Sequence, residues 1–196
     1  NGANDFLTKP FIAEELTIRI NQNLDTMKYI EVIENTANRD YLTNLHNRRF
    51  FYEEGENLLG EIQKEGKPFA VALLDIDHFK KINDTLGHDI GDKVLVEFSA
   101  LMQKHFSEYL CARVGGEEFV VMFDKSGHEV ALNLEKFRKS LEAAQFDFDG
   151  VQVNVTVSIG CNCISRDTMD DSLKVADEFL YQAKNQGRNR VTGNFT

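Results

Sequence analysis

Acidic side chains occur as two close pairs in this sequence. Asp75 and Asp77 end a continuous apolar run, and Glu117 and Glu118 directly follow two glycines. Because strand side chains repeat every two residues, Asp75 and Asp77 are expected on one face of a buried strand end. Close carboxylates repel each other unless they share a cation, and their hard oxygen atoms suit Mg²⁺. With Asp92 they would form a two-metal nucleotidyl-transfer site, although each one singly is more typical of a turn or helix N-cap.

Helical and strand patterns alternate around these carboxylates. Helices are predicted at 50–65, 78–86, 91–106, 127–144 and 170–185. Strands are predicted at 69–76, 109–114, 118–124 and 190–191, with a hairpin over 146–161. Gly115-Gly116 and Asp149-Gly150 are the hairpin turn signals. This βαββαβ-like order predicts an α/β sandwich of the α+β type, with helices covering one face of a central, mostly antiparallel sheet.

A long helical pattern precedes this region. Residues 12–39 contain no proline or glycine, and their seam positions follow the alternating steps of three and four that coiled coils use. The seam positions are Leu16, Ile20, Asn23, Met27, Ile30, Glu34 and Ala37. Such a helix would extend roughly 42 Å, longer than a small domain is wide, and is therefore predicted as a stalk between two bodies. The alternative is a lone amphipathic helix packed on its own domain, because two seam positions are polar.

Charge and hydropathy exclude several classes of function. The chain has 196 residues and a formal net charge of −10. An acidic balance lacks the broad cationic field that binds bulk nucleic acid or an anionic membrane. The longest apolar run, residues 69–74, is far shorter than the roughly 20 residues of a membrane helix. We therefore expect neither nucleic acid nor membrane as a partner.

The cysteines indicate the compartment. Cys111, Cys161 and Cys163 are an odd and unpatterned set, which is typical of reduced thiols in a cytoplasmic protein. Cys161 and Cys163 alternate in a predicted strand and should lie on one face of it. Without a second pair at ligand spacing, buried structural thiols are favoured over a metal site.

Four separated motifs occur between residues 40 and 193. They are DYLTNLHNRR at 40–49, DIDHFKKINDTLGHDIGD at 75–92, GGEEF at 115–119 and YQAKNQGRN at 181–189. In this order and spacing they resemble the GGDEF family, the diguanylate cyclases. The resemblance implies a nucleotide-cyclase-like fold over 40–196 and the condensation of two GTP into cyclic di-GMP with loss of two pyrophosphates. It also implies an antiparallel catalytic homodimer, because one subunit holds one GTP.

The resemblance assigns catalytic roles position by position. It implies two Mg²⁺ (or Mn²⁺) ions per active site, held by the side chains of Asp75 and Glu117 and by the main-chain carbonyl of Ile76. Glu118 matches a position proposed in the family as a metal ligand or as the base that takes the 3′-hydroxyl proton.

The resemblance also assigns substrate contacts. Asn83 and Asp92 match the positions that recognise guanine, and an amide with a carboxylate can pair with its carbonyl and amino groups. The remaining implied contacts are Phe79, Lys80, Gly115, Gly116, Lys184 and Arg188. Lys184 and Arg188 would also stabilise the helix itself, because positive charges near a helix C-terminus interact favourably with the helix dipole.

The first residues resemble a second family. Residues 2–11 are similar to the last strand and Lys-Pro turn of a response-regulator receiver domain, with Lys9 as its phosphate-sensing lysine. We therefore expect residues 1–11 to be the C-terminal remnant of a receiver whose other strands lie upstream. Residues 12–39 would be the helical linker to the cyclase. An upstream histidine kinase would then control the dimer.

Three positions depart from the GGDEF pattern. The family's product-inhibition site is an Arg-x-x-Asp pair five residues before the signature, and Phe106 and Tyr109 occupy those two positions here. We therefore predict that this inhibitory site is missing. Asn44 replaces a usual glycine, which fits a residue with positive φ.

Two other functions remain open at this point. One is a catalytically idle GGDEF module that binds GTP or a partner and relays a signal. The other is a plain dimerisation device, which the stalk alone would support. The complete set of acidic and substrate-contact positions favours an active cyclase over both.

Overall fold

The computed structural model describes residues 13–164 and 168–195, and the chain divides into two compact units between Asn38 and Arg39. The receiver remnant predicted at 1–11, with Lys9, lies outside the described residues. No helix in the described part of the chain combines the length and apolarity that a membrane span requires.

The described part of the first unit is a single helix, α1 (Ala13–Asn38). Seven large apolar side chains in the described part of this helix are exposed in the single chain: Ile18, Ile20, Leu24, Met27, Tyr29, Ile30 and Ile33. Three of these, Ile20, Met27 and Ile30, belong to the predicted coiled-coil seam. The helical part of the stalk prediction thus holds for 13–38, while its pairing with a second copy stays a prediction.

The second unit alternates helices and strands. Its elements are β1 (His46–Asn47), α2 (Arg48–Lys64), β2 (Phe69–Ile76), α3 (Phe79–Leu86), α4 (His88–His105), β3 (Leu110–Arg113), β4 (Glu118–Phe123), α5 (His128–Ala143), β5 (Phe146–Phe148), β6 (Val151–Val153), β7 (Val157–Ile164), α6 (Met169–Asn185) and β8 (Arg190–Gly193). The strand β1 was not predicted, because two residues are too few to show a periodic pattern.

Six strands form the central sheet in the order β1-β3-β4-β2-β7-β8. The strand β2 pairs antiparallel with both β4 and β7, and β3 pairs antiparallel with β4. Among the described strands of this sheet, only the outer pairs, β1 with β3 and β7 with β8, are parallel. The sheet is therefore mostly antiparallel, as predicted, with β2 at its centre.

Helices cover both faces of this sheet, and the prediction of one covered face was wrong. Alternate residues of β2 point to opposite sides: Ala72 and Leu74 join a core with α4 and α5, whereas Phe69 and Val71 join a core with α2. Two covered faces explain why residues 69–76 read as a continuous apolar run rather than an alternating one.

The hairpin predicted over 146–161 is two separate features. The strands β5 and β6 form their own small sheet around Asp149 and Gly150, whose φ angles of 55° and 89° suit a tight hairpin turn. The chain then leaves this hairpin at Asn154, whose side chain donates to the Ala144 carbonyl, and β7 begins only at Val157. Asn44 has a φ of 57°, as its replacement of glycine predicted.

The three cysteines are free thiols. Cys161 and Cys163 lie on one side of β7 with their Sγ atoms 3.8 Å apart, as the strand period predicted. Burial raises the pKa of the Cys111 thiol to about 12, so that this thiol stays protonated and packs as an apolar group.

Candidate active site

Asp75 lies near the carboxyl end of the central strand β2 and is 7% exposed. Its neighbours in register are Glu118 on β4 and Ser158 on β7. The next amide, of Ile76, donates to the main-chain carbonyl of Glu117 at 3.3 Å. Because β2 and β4 are antiparallel, the end of one strand meets the start of the other, and the two acidic pairs come together there.

A lysine neutralises the buried carboxylate. Lys184 Nζ lies 2.7 Å from Asp75 Oδ2. Burial raises the pKa of Asp75, the Lys184 ammonium opposes that rise, and the negative charges of Glu117 and Glu118 add to it. The net direction is a raised pKa, so Lys184 does not fully offset burial and the two neighbouring carboxylates.

The donor set at this end fits a divalent cation that is shared with a ligand. Within residues 13–164 and 168–195, no three His, Cys, Asp or Glu side chains converge closely enough to enclose an ion. Mg²⁺ in proteins is usually held by one or two carboxylates, and phosphate oxygens and water complete its octahedron. Two carboxylates, of Asp75 and Glu117, and the main-chain carbonyl of Ile76 are therefore enough protein ligands for such an ion.

Asp77 is engaged differently from Asp75. It is 4% exposed, and its Oδ1 accepts from the Ser158 hydroxyl at 2.6 Å. Its Oδ2 accepts from the Thr156 hydroxyl at 2.7 Å and from the main-chain amide of Asn189 at 3.0 Å. The expectation of a cation shared by Asp75 and Asp77 is therefore not met, because protein donors already occupy both oxygens of Asp77.

The two hairpin glycines have different reasons to lack a side chain. A Cβ on Gly115 would overlap the carboxylate of Glu118, which folds back over it. A Cβ on Gly116 would meet nothing within 4 Å, and neither glycine has a positive φ. The fold itself therefore does not require glycine at 116, and the open space above it is room for a ligand.

Arg113 holds this hairpin, a role that sequence reasoning did not find. Its Nε donates to the carbonyls of Gly115 and Gly116, both at 3.1 Å, and its Nη2 to Gly116 at 2.7 Å. Its Nη1 lies 3.0 Å from Asp40 Oδ1, which also accepts from the amide and hydroxyl of Thr43. Burial would raise the pKa of Asp40, but the hydrogen bonds from Thr43 and Arg113 outweigh it and lower that pKa.

Helices α3 and α4 carry the predicted guanine contacts. Asn83 is half-buried on α3, and Asp92 is exposed near the start of α4. Gly91 allows the two helices to approach, because a Cβ there would overlap Asn83 Oδ1 and come within 3.4 Å of the Phe79 ring. The amide of Asn83 therefore lies against Gly91, the residue that precedes Asp92. Gly91 thus belongs to the candidate site, although the sequence around it gave no signal for such a role.

The predicted phosphate contacts follow from how α6 ends. Lys184 is in its last turn, and the amides of Gly187 and Arg188 donate to the carbonyls of Lys184 and Ala183. These two bonds form a Schellman motif with Gly187 at C′, where its φ of 113° is tolerated. Lys184 and Arg188 are thereby brought to the same helix end.

The remaining predicted contacts are the first residues of α3. The helix begins at Phe79, and its N-cap His78 makes no side-chain cap. The first amides of a helix have no intrahelical acceptor, so those of Phe79 and Lys80 can serve an anion.

The positions of the missing inhibitory pair are aromatic. Phe106 is 1% exposed and packs against Phe137 with ring centroids 5.0 Å apart. Tyr109 packs against Phe123 at 4.6 Å. In place of an ionic pair, these two side chains contribute to the core beside α4.

Comparison with known proteins places this arrangement in a family. Residues 37–190 match the domain family described as "Diguanylate cyclase, GGDEF domain". The response regulator PleD of Caulobacter vibrioides is 38% identical over 98% of this chain, and the probable diguanylate cyclase DgcT of Escherichia coli is 36% identical over 92%. This chain spans 45% and 41% of those two proteins.

A solved structure extends the likeness to the fold. The coiled coil and GGDEF domain of DgcB from Caulobacter crescentus, in complex with c-di-GMP, matches with a TM-score of 0.84 at 30% identity. The match covers 92% of this chain and 98% of that one. Sequence and structure agree that this chain belongs to the GGDEF family of diguanylate cyclases.

Proposed function

We propose that this chain condenses two molecules of GTP into cyclic di-GMP and releases two pyrophosphates. The observation that carries the proposal is the buried carboxylate of Asp75, which meets the acidic start of β4 and the ammonium of Lys184 at one end of the sheet. Adjacent acidic and basic groups suit a substrate that brings both divalent cations and phosphates. The relatives named as diguanylate cyclases support the same reaction.

Guanine specificity would come from the junction of α3 and α4. The amide of Asn83 and the carboxylate of Asp92 offer both a donor and acceptors, which guanine's carbonyl and amino groups can satisfy. Adenine would leave those groups unpaired, and an unpaired polar group in a site lowers affinity.

The triphosphate would lie between three features. These are the first amides of α3 at Phe79 and Lys80, the open backbone at Gly115 and Gly116, and the side chains of Lys184 and Arg188. Each supplies an N–H donor or close access to the main chain. Lys184 would exchange Asp75 for phosphate oxygens when substrate binds.

Each active site would hold two Mg²⁺ or Mn²⁺ ions. Their protein ligands would be the side chains of Asp75 and Glu117 and the carbonyl of Ile76. Glu118 would add a further ligand or accept the 3′-hydroxyl proton. Bound metal ions would polarise the α-phosphate and neutralise the charge that develops during transfer. Two chains are needed because each 3′-oxygen attacks the α-phosphate of the opposite nucleotide. The exposed apolar side chains of α1 support a homodimer.

The upstream context is a further part of the proposal. A response-regulator relative matches 98% of this chain, which supports Lys9 and residues 1–11 as the end of a receiver. An upstream histidine kinase would then set the activity, and such signalling takes place in the cytoplasm.

The test is product formation by the dimeric chain. Protein shown by light scattering to be a dimer is incubated with GTP and Mg²⁺ or Mn²⁺, and cyclic di-GMP is measured by chromatography. Asp75→Ala and Glu117→Ala should lower turnover about a thousandfold with the fold retained. Removal of the exposed carboxylate Glu108, by Glu108→Ala, should leave turnover unchanged.

Three results would contradict the proposal or its metal assignment. Absence of product from a parent dimer that binds GTP would favour the idle module, and activity in either carboxylate variant would refute the metal assignment. A parent that forms a dimer but binds no GTP would favour the plain dimerisation device.

A further inference from the structure

The segment after α6 has an unusual backbone. Gly187, Arg188 and Asn189 have successive φ angles of 113°, 63° and 48°. Glycine accepts such values freely and asparagine more readily than most residues, but arginine does not. Arg188 is therefore held in a conformation that its own backbone disfavours, and the residues around it must supply the restraint.

Asn189 connects this segment to two other elements. Its main-chain amide donates to Asp77 Oδ2 at 3.0 Å, just beyond β2. Its side-chain Nδ2 donates to Glu142 Oε1 at 2.7 Å, and its Oδ1 accepts from Arg138 Nη1 at 2.7 Å. Hydrogen bonds thus fix three groups of Asn189: the main-chain amide, the side-chain nitrogen and the side-chain oxygen.

The partners of Asn189 are themselves held rigidly. Arg138 is 8% exposed on α5, and Glu135 accepts from its Nε and Nη2 at 2.9 and 2.7 Å. Glu142 accepts from Arg138 Nη1 at 2.9 Å. Two parallel bonds to one carboxylate fix the plane of a guanidinium, so Arg138 presents Nη1 to Asn189 in one orientation.

We propose that Asn189 is a positioning residue that holds Arg188 ready for the substrate phosphates. It does so by tying the backbone after Arg188 to Asp77 on one side and to Arg138 and Glu142 on the other. The inference rests on the proposed function, in which Arg188 contacts the triphosphate. Its distinctive consequence is that Asn189 matters for nucleotide binding only while Arg188 is present.

A double-mutant cycle tests this consequence. The probe is a GTP analogue with a methylene bridge between the α- and β-phosphates, titrated calorimetrically with Mg²⁺ into the 196-residue chain, because binding needs no turnover. Asn189→Ala should weaken binding about tenfold. In the Arg188→Ala background the same change should have no further effect.

The controls separate positioning from stability. Asn133→Ala also removes an asparagine side-chain hydrogen bond, 2.9 Å long to His105 Nε2, but from a part of α5 that does not reach Asn189. It should leave binding unchanged. If Asn189→Ala does not fold, Glu142→Ala removes one exposed partner of Asn189 and should give a smaller effect of the same kind.

The outcomes are distinct for each proposal. Equal losses in both backgrounds, or no loss in the Arg188-containing chain, would show that Asn189 does not act through Arg188 and would overturn the inference alone. A folded parent chain that binds no analogue would overturn the proposed function and this inference with it.

Discussion

At the scale of single residues, the site depends on side chains that are present and on one that is absent. Asp75 is buried, paired with Lys184, and next to Glu118 at the start of β4. Gly116, in contrast, has an ordinary φ and nothing within 4 Å of where a Cβ would stand. A residue that the fold leaves free to vary, at the mouth of a charged site, is a sensitive probe of ligand approach.

We expect Gly116→Ala to weaken GTP binding about tenfold, because a methyl group would stand where the phosphates approach the backbone. The melting temperature should not fall, since no protein atom is displaced and alanine fits the ordinary φ. Gly60 offers a matched control: it also has nothing within 4 Å and an ordinary φ, but it lies on α2. Gly60→Ala should raise stability by about 0.5–1 kcal/mol and leave KM for GTP unchanged. Equal KM values in the two variants would exclude ligand approach at Gly116.

At the scale of elements, the hairpin between β3 and β4 is tied through Arg113, the last residue of β3, to a segment outside its own strands. Arg113 bonds both glycine carbonyls and pairs with Asp40, with the two side chains only 12% and 17% exposed. Asp40 in turn belongs to the turn before β1, which is fixed by Thr43. The position of the signature hairpin therefore depends on a segment more than 70 residues earlier in the chain.

The Asp40 pair should make stability depend on pH. Because folding lowers the pKa of Asp40, its carboxylate stabilises the fold fully above about pH 3.8, and this contribution is lost as the pH falls through the lowered value. Asp40→Asn should reduce the free energy of unfolding by about 2 kcal/mol at pH 7. The difference from the parent should shrink below pH 3.8, as measured by urea unfolding between pH 7 and 3.

The control for this prediction is an exposed aspartate. Asp124→Asn should change the unfolding free energy by less than about 0.5 kcal/mol at every pH. A parent-to-variant difference for Asp40→Asn that stays constant down to pH 3 would contradict a contribution from the Asp40 charge.

The elements also show which features local patterns can predict. The helices and the strands β2, β3 and β4 were predicted closely, because their periods and turn residues are local signals. Two features were not predicted: the helices on the second face of the central sheet, and the separation of β5 and β6 from β7. Both depend on which elements pack together. The bonds of Asn189 to Asp77 and Arg138 join residues 112 and 51 positions apart and leave no local pattern.

At the scale of the whole molecule, the sequence nominated the residues of the candidate site but not the residues that hold them in place. The structure brings Asp75, Glu117, Glu118 and Lys184 to one end of the sheet, and motif order was sufficient to nominate them. Arg113, Gly91 and Asn189 act through other residues, so their types and spacing indicated no chemistry. What remains to be tested at this scale is the second chain that ring closure requires.

The apolar side chains of α1 give that test. Met27 is 66% exposed in the single chain and lies at the centre of the predicted seam, so a homodimer would bury it. Met27→Glu would place two carboxylates against each other across such a seam, and we expect a monomer that binds the GTP analogue normally but forms no cyclic di-GMP. Gln22→Glu adds the same charge on the other side of the helix and should remain dimeric and active. Sedimentation equilibrium measures the mass, and chromatography measures cyclic di-GMP. A Met27→Glu protein that stays dimeric would exclude α1 as the dimer contact. An active Met27→Glu monomer would contradict a reaction that needs two chains.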